Sequence, residues 1–595
     1  MGQDNLEILR HSTSHLMAAA VLTLFPKAKL GIGPAISDGF YYDFDLPVGK
    51  AGLPEKISND DLAKIEKIMQ DLAKKKLPFE RKELTIGQAK KWARKENQPY
   101  KLELIEELER QGEKIVSFYK TGNLFDLCTG PHIPNSSQIK HFKLLSIAGA
   151  YWRGIETNPM LTRIYGTVWP TKKELQKHVL QLEERKLRDH RKLGKDLDLF
   201  TFAEEVGPGL PLWTSKGTVI REELEKWAME TEKNLGYERV ATPHVGKHTL
   251  YEISGHLPYY KDDMYPPMNI EGEDYYLKGM NCPHHHMIYL AKPRSYRELP
   301  LRLAEYGTVY RLEQSGALFG LMRARSIAQN DAHIYCTEEQ AEEEFLNVLK
   351  LHEYYYNTLG LGKGDYHIVI GLPNGKKRGK YHGDKKLWDK AEKMMRSAIK
   401  KSGIRHIDDL GGAAFYGPKI DFNVISSVGR EFGIATNQLD LYMPKRFNLA
   451  YTDSKGAKKL AVVIHRAPLG SHERFIGFLI EHFGGAFPVW LSPVQAIIIP
   501  IAQRHTKYAE GLKEKLVNSG IRTECDLRSE TMQAKIRDSQ LQKIPYMLVV
   551  GDREEKSKTL AIRTREGKEI KGWTIDHFIS KIKENIVKKG LNLII

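Results

Sequence analysis

The alternation of apolar and polar positions changes rhythm along the chain, and the changes mark its parts. From His11 to about Pro170, short apolar strands alternate with charged helical stretches, and DLAKIEKIMQDLAKKK carries its apolar residues at helical period. The next stretch, KKELQKHVLQLEERKLRDHRKLGKDLDLF, predicts one long, very basic linker helix ending near Gly194. A central block of α+β texture follows, in which REELEKWAMETEKNLG is an amphipathic helix with a glycine stop, while LPLRLAEYGTVYRLEQ and KIDFNVISS read as strands. The last hundred or so residues alternate strand and helix, from AIIIPIA through IPYMLVVGD to IDHFISKIKENIVKK, which predicts βαβ units and a mainly parallel sheet. The expected division is 1–170, a linker helix over 171–195, 196–492 and 493–595. No internal repeat or low-complexity tract interrupts it.

Composition narrows the class. With 41% hydrophobic and 28% charged residues and a mean hydropathy of −0.46, the chain reads as a soluble multidomain protein. Its longest apolar stretches, AIIIPIA and LMAAAVLTLF, fall short of the ~20 residues a membrane span needs. No secretion signal precedes HSTSH, and four cysteines make no disulfide framework. A cytoplasmic protein is expected. The net charge of +16 raises the prospect of a polyanionic partner such as nucleic acid, although a solvated lysine-rich surface has the same composition.

Several residues carry candidate chemistry. His11 and His15 in HSTSH stand four apart on one helical face, and Cys128 and His132 follow in DLCTGPH. HxxxH plus CxxxH reads as a zinc site, or as histidines that cap and pack a helix. Cys282 in MNCPHH reads alone as a small buried hydrophobe, and His333 and His465 as core histidines. Spacing does not group these last three residues.

A resemblance does. TPHVGKHTLYEISGH, YRLEQSGALFGLMRAR and LGSHERFIG resemble, in order, the three signatures of class II aminoacyl-tRNA synthetases, and with Cys282, His333 and His465 the chain resembles the threonyl-tRNA synthetases. The resemblance implies an α+β multidomain protein: an antiparallel-sheet class II core, an N-terminal α+β editing domain and a C-terminal α/β anticodon-binding domain. Cys282, His333 and His465 would then hold one catalytic zinc with a position left for the amine and hydroxyl of threonine. A site built around a hydroxyl rejects an analogue lacking it by about 10⁴- to 10⁵-fold, which excludes valine. Arg311 would contact the α-phosphate of ATP, Arg323 and Arg474 the rest of the triphosphate, with Mg²⁺ accompanying it. Asp331 would accept a hydrogen bond from the substrate, and Gln329, Tyr416, Lys419 and Gln438 match other pocket positions.

Serine passes such a site, since one methyl is worth only ~1 to 3 kcal/mol. The resemblance therefore implies editing of Ser-tRNA by His11, His15, Cys128 and His132 with Asp126 nearby, through a positioned water and no metal. Glu554 and Arg563 would touch the threonine anticodon of tRNA(Thr). A homodimer is implied, with Pro243 near its interface. The chain shows no counterpart of the small ubiquitin-like domain that usually precedes the editing domain.

Five positions depart from the family pattern. Ser326 and Ile327 stand where Gly-Phe is usual, Gly433 where a glutamine approaches ATP, His284 where glycine is usual, and Ser529 where an asparagine lies near the anticodon. Loss of the aromatic implies weak ATP binding. Other readings are a prolyl- or histidyl-type synthetase, a non-catalytic RNA-binding regulator on the same scaffold, and a two-zinc hydrolase.

Overall fold

HSTSH lies in the helix Gln3–Leu24, whose Leu16–Val21 segment is wholly buried because LMAAAV is apolar on every side. The computed structural model describes residues 3–47, 56–155, 157–373 and 385–594. The chain divides into two compact units, Met1–Glu183 and Glu184–Ile595.

In the first unit the long helix packs against the strand Gly39–Asp45 through Phe40, Tyr42 and Phe44, and against the helix Asn59–Lys74 through Leu62, Ile65 and Met69. The latter is the helix predicted from DLAKIEKIMQDLAKKK; Ser58 and Asp61 cap its start reciprocally. The central strand Gly39–Asp45 pairs with Met160–Trp169, which pairs with His141–Tyr151. A separate three-stranded sheet, Glu80–Thr85, Ile115–Thr121 and Leu124–Leu127, delivers Asp126 and Cys128.

The basic linker differs from its expected form. Instead of one helix there are two, Lys172–Leu187 and His190–Asp196. Asp189 breaks them: its backbone leaves the helical region (φ −51, ψ 124) so that its carboxylate can accept the Arg191 N–H and cap the second helix. Composition, read as a charge run, hid the aspartate that starts a new helix. The second of these helices lies in the second unit.

The second unit is built on an eight-stranded sheet in the order Glu238–Arg239, Leu301–Tyr310, Ser326–Cys336, Val462–Ala467, Glu431–Asp440, Lys419–Ile425, Tyr366–Leu372, His406–Leu410. The six inner strands are antiparallel and each edge strand joins in parallel. The predicted strands at 299–314 and 419–427 are both there. Val462–Ala467 is buried along its whole length, as a Val-Val-Ile strand covered on both faces should be. Alternation assigns the faces. Ile334, Val462, Ile464, Ile420 and Phe422 join the large core beneath the helices Glu338–Thr358 and His472–Phe483, whereas Tyr335 and Val463 pack with Tyr289 and Phe447 on the other side. The helix Ser215–Asn234 starts on Thr214 and stops where expected, at Gly236, whose φ of +75° suits glycine.

In the C-terminal part the strands Thr523–Cys525, Ala496–Pro500 and Tyr546–Val550 are parallel. Two more, Thr559–Thr564 and Glu569–Thr574, extend the sheet as an antiparallel hairpin. Its half-polar alternation was passed over in the sequence, although Gly567 at φ +88° marks the turn. Among the described residues no helix is long and apolar enough to cross a membrane.

Candidate active site

Sheet register assembles the first site. His333 lies directly opposite His465, His465 opposite Gln438, and Gln438 opposite Lys419, so one row of side chains crosses four strands. Asp331 and Gln329 precede His333 by two and four residues and share its face. Cys282 arrives from elsewhere, as the first residue of the helix Cys282–Leu290. The donor atoms of Cys282, His333 and His465 lie within 4.8 Å of one another, and all three residues are buried.

Neighbours fix both imidazoles. His465 Nε2 is 3.0 Å from Asp440 Oδ2, and His333 Nδ1 is 2.8 Å from His285 Nδ1. His285 in turn meets Glu305 at 3.1 Å, and Glu305 accepts the Thr242 N–H at 2.9 Å. Asn281 donates to Asp331 at 3.1 Å. Burial, then Asp331 and Asp440, pushes the Cys282 thiol well up; burial, then His465 and His285, drives His333 well down. A buried sulfur, two imidazoles and nearby carboxylates form a donor set that a cation would satisfy.

Cys282 also lines a cavity of 570 Å³ shared with Gln329, Tyr416, Lys419, Gln438 and the three arginines. The Tyr416 hydroxyl donates to Gln438, and Lys419 pairs with Asp421 at 2.7 Å. Arg311 follows the strand Leu301–Tyr310, and Arg323 is held by Glu313 at 2.7 Å. Arg474, in the first turn of His472–Phe483, donates to the Met322 and Gly433 carbonyls at 3.1 and 3.2 Å. Burial, and after it the charges of Arg311 and Arg323, lowers the Arg474 pKa, so the three cations converge on one anion-seeking surface. Ile327 and Gly433 line the same cavity. His284 is buried, and its pKa falls to about 4 through burial and Lys278.

The second site lies wholly in the first unit. Cys128 Sγ is 3.3 Å from both His11 Nε2 and His132 Nε2. His15 completes the group, all four donors lying within 4.8 Å of one another. Asp126 is buried nearby, 3.9 Å from His15, paired with Lys101 at 2.6 Å and accepting from Tyr42. His132 Nδ1 meets Ser12 Oγ at 3.1 Å. Burial drives His15 well down and takes His132 to about 2, and it lifts the Cys128 thiol to about 11, so all are neutral near pH 7. An adjoining cavity of 920 Å³ holds His11, His15, Cys128, Asp126 and Lys101.

Sequence reading missed Lys101, Ser12 and Tyr42 here, and His285, Asp440 and Glu305 in the first site. Lys101 had a signal: it occupies a buried helix position four residues before the buried Ile105. Asp440 had one too, two residues after Gln438 on the same strand face. Glu554 and Arg563 are not paired with each other in the C-terminal part. Glu554 caps its own helix at Gly551 N, and Arg563 lies 3.7 Å from Glu569.

Sequence comparison decides between the synthetases that share this core. Over 591 residues the chain is 48% identical to the threonine–tRNA ligase of Sulfurihydrogenibium sp. (strain YO3AOP1), covering 99% of this chain and 90% of the relative. The chain belongs to the threonyl-tRNA synthetase family. The threonine–tRNA ligase of Rubrobacter xylanophilus is 46% identical over 590 residues, covering 98% and 90%. The profile for the "tRNA synthetase class II core domain (G, H, P, S and T)" matches residues 265–483, which contain every first-site residue named in the sequence. "Anticodon binding domain" matches 495–585, and "Threonyl and Alanyl tRNA synthetase second additional domain" matches 116–165, spanning Asp126, Cys128 and His132. A crystal structure of the RNA binding domain of threonyl-tRNA synthetase from Cryptosporidium parvum Iowa II superposes with a TM-score of 0.63 at 36% identity, covering 67% of this chain and 98% of that one. Together with the antiparallel core sheet, these matches agree with the architecture expected of a threonyl-tRNA synthetase.

Proposed function

We propose that this chain is a threonine–tRNA ligase that activates L-threonine with ATP, transfers it to the 3′ end of tRNA(Thr), and hydrolyses mischarged Ser-tRNA(Thr) at its second site. The observation that carries the reading is the row His333–His465–Gln438–Lys419, closed by Cys282 and opening onto a cavity with three arginines.

Cys282, His333 and His465 would hold one zinc ion, whose chemistry is to bind the amine and hydroxyl of threonine together, a pair of donors valine lacks. Asp440 and His285 keep the two imidazoles oriented. Asp331, half-buried and held by Asn281, accepts a hydrogen bond from the substrate. Arg311, Arg474 and Arg323 offset the charge that accumulates when the threonine carboxylate attacks the α-phosphorus and pyrophosphate leaves, with Mg²⁺ travelling on the ATP. Their mutual repulsion is relieved when that anion binds.

At the second site, water adds to the seryl ester carbon, the bond to the ribose oxygen breaks, and that oxygen takes up a proton. Neutral His11 and His15 suit the holding of that water, and Asp126, spent on Lys101 and Tyr42, sets the position of Lys101. A second reading is favoured by the 4.8 Å convergence of His11, His15, Cys128 and His132: this pocket binds a metal as well. Metal analysis separates them, at one or two zinc ions per chain.

The C-terminal part would read the anticodon through Glu554 and Arg563; Arg563 keeps a buried Nε without a hydrogen-bond partner among the described residues. A homodimer fits the exposed Val245, Met268 and Ile270 of the small sheet beside Pro243. The test of the whole reading is ATP–pyrophosphate exchange: a response to threonine, a lesser one to serine and none to valine is expected, and exchange driven equally by valine overturns it.

A further inference from the structure

The turn that carries Arg323 is tight. Phe319 N–H donates to the Arg323 carbonyl at 3.2 Å and Met322 N–H to the Phe319 carbonyl at 2.9 Å, which leaves Gly320 and Leu321 at its tip. Arg474 reaches this turn through the Met322 carbonyl. At the tip the Leu321 N–H donates to the imidazole Nε2 of His190, 3.2 Å away, a residue of the second linker helix that is wholly buried. Accepting at Nε2 leaves the proton on Nδ1, which donates to Glu481 at 2.8 Å. Glu481 lies on the helix His472–Phe483, seven residues or two turns beyond Arg474, and Arg430 holds its carboxylate at 3.2 Å.

One imidazole thus ties the tip of the Arg323 turn to the helix that bears Arg474. Gly320 makes the approach feasible, since a Cβ there would lie 2.4 Å from His190 Nε2. The Phe319 ring packs on His190 at 5.4 Å and is flanked by the guanidinium groups of Arg191 at 4.4 Å and Arg430 at 5.0 Å. Asp189, His190 and Glu481 also bring their donors within 4.8 Å of one another, but Arg191 occupies Asp189, Arg430 occupies Glu481, and both His190 nitrogens are spent. These contacts suit a brace and leave no donor for a cation.

We infer that His190 is a positioning residue for nucleotide binding: it acts through the Phe319–Arg323 turn, holding Arg323 and the Met322 carbonyl in register with Arg474. The inference rests on the reading that Arg323 and Arg474 hold the triphosphate. It assigns a task in ATP binding to the linker segment.

Two substitutions dissect the imidazole. His190→Asn keeps a donor near Nδ1 for Glu481 and loses the acceptor for Leu321 N–H; His190→Gln places an acceptor near Nε2. In threonine-dependent ATP–pyrophosphate exchange, His190→Asn should raise the KM for ATP about tenfold, the cost of stranding one buried N–H, while the KM for threonine stays within about twofold. His190→Gln should recover most of that loss. Gly320→Ala should show the same split, since its Cβ would meet His190 Nε2 at 2.4 Å and Arg191 Cγ at 2.7 Å and displace the tip of the turn. Arg323→Ala serves as the reference: an unchanged ATP KM there removes the reading beneath the inference. A raised ATP KM in Arg323→Ala with none in His190→Asn or Gly320→Ala overturns the brace itself, as do equal losses for ATP and threonine, or a His190→Gln enzyme no better than His190→Asn. Should His190→Asn fail to fold, His190→Gln and Gly320→Ala carry the same test.

Discussion

His333 and His465 face each other as a directly opposed pair on adjacent antiparallel strands, so the pairing register sets the separation of these two imidazoles. A slip of one residue would turn one of them to the opposite face. Cys282 supplies the only sulfur of the group, and its replacement leaves two nitrogens. Cys282→Ala should therefore lose zinc and threonine-dependent exchange together. Full zinc stoichiometry in the purified variant, measured by atomic emission, would refute the ligand assignment.

Asp440 lies outside the Cys282, His333 and His465 group but holds His465 Nε2 at 3.0 Å. Such outer partners typically tune metal affinity by 10- to 100-fold. Asp440→Asn keeps the size and loses the charge, so zinc affinity should fall by about one order of magnitude while the fold persists. Competition against a chelator measures this directly. An unchanged affinity would mean that the carboxylate serves packing alone.

Much of this was legible in the sequence, and the reason differs by level. Helices with a clear apolar stripe and a capped end, such as Asn59–Lys74 and Ser215–Asn234, declare themselves locally. The site does not. His333, His465 and Gln438 are joined by strand pairing between segments more than a hundred residues apart, or by a crossover of strands, and no periodicity encodes which strands become neighbours. Resemblance supplied that grouping. Residues that act through others, His190 and His285 among them, were invisible because each is an ordinary polar residue until its partner is known. The linker was misread for a related reason: lysines and arginines dominated the reading, and one aspartate fixed the break.

The second site predicts a separable phenotype. His11 and Cys128 lie in the Met1–Glu183 unit, and the three arginines lie in the other. His11→Ala and Cys128→Ala should each lower Ser-tRNA(Thr) deacylation by about 10²-fold or more, the usual scale for a lost acid–base or positioning group. Threonine-dependent pyrophosphate exchange should stay unchanged. Deacylation at the wild-type rate in both variants would move editing to other residues.

Acid should weaken the catalytic unit through buried histidines. His352 is fully buried, stacked on Phe422 at 3.9 Å and hydrogen-bonded to Asn437; burial takes its pKa down from 6.5 to about 3. Between those values the unfolded chain binds a proton that the folded one refuses, so stability is complete above pH 6.5 and declines as pH falls towards 3. From pH 7 to pH 5 this one group should cost about 2 kcal/mol. His352→Gln retains an amide for Asn437 and removes the titration. Urea unfolding at both pH values should show a smaller loss in the variant, and equal losses would exclude His352 as the source.

Ile327 sits opposite Val309 on the strand Ser326–Cys336 and lines the cavity, with Gly433 on the same wall. Where the family pattern has an aromatic ring, this chain offers branched aliphatic carbon, which packs on a base without stacking. Aromatic stacking on a base is worth ~1 to 3 kcal/mol. Ile327→Phe should thus lower the KM for ATP in pyrophosphate exchange by about fivefold or more, with the threonine KM unmoved, because a gain of about 1 kcal/mol corresponds to that factor. An unaltered ATP dependence would show that another side chain already covers the adenine in this protein, and the departure at Ile327 would then be compensated rather than costly.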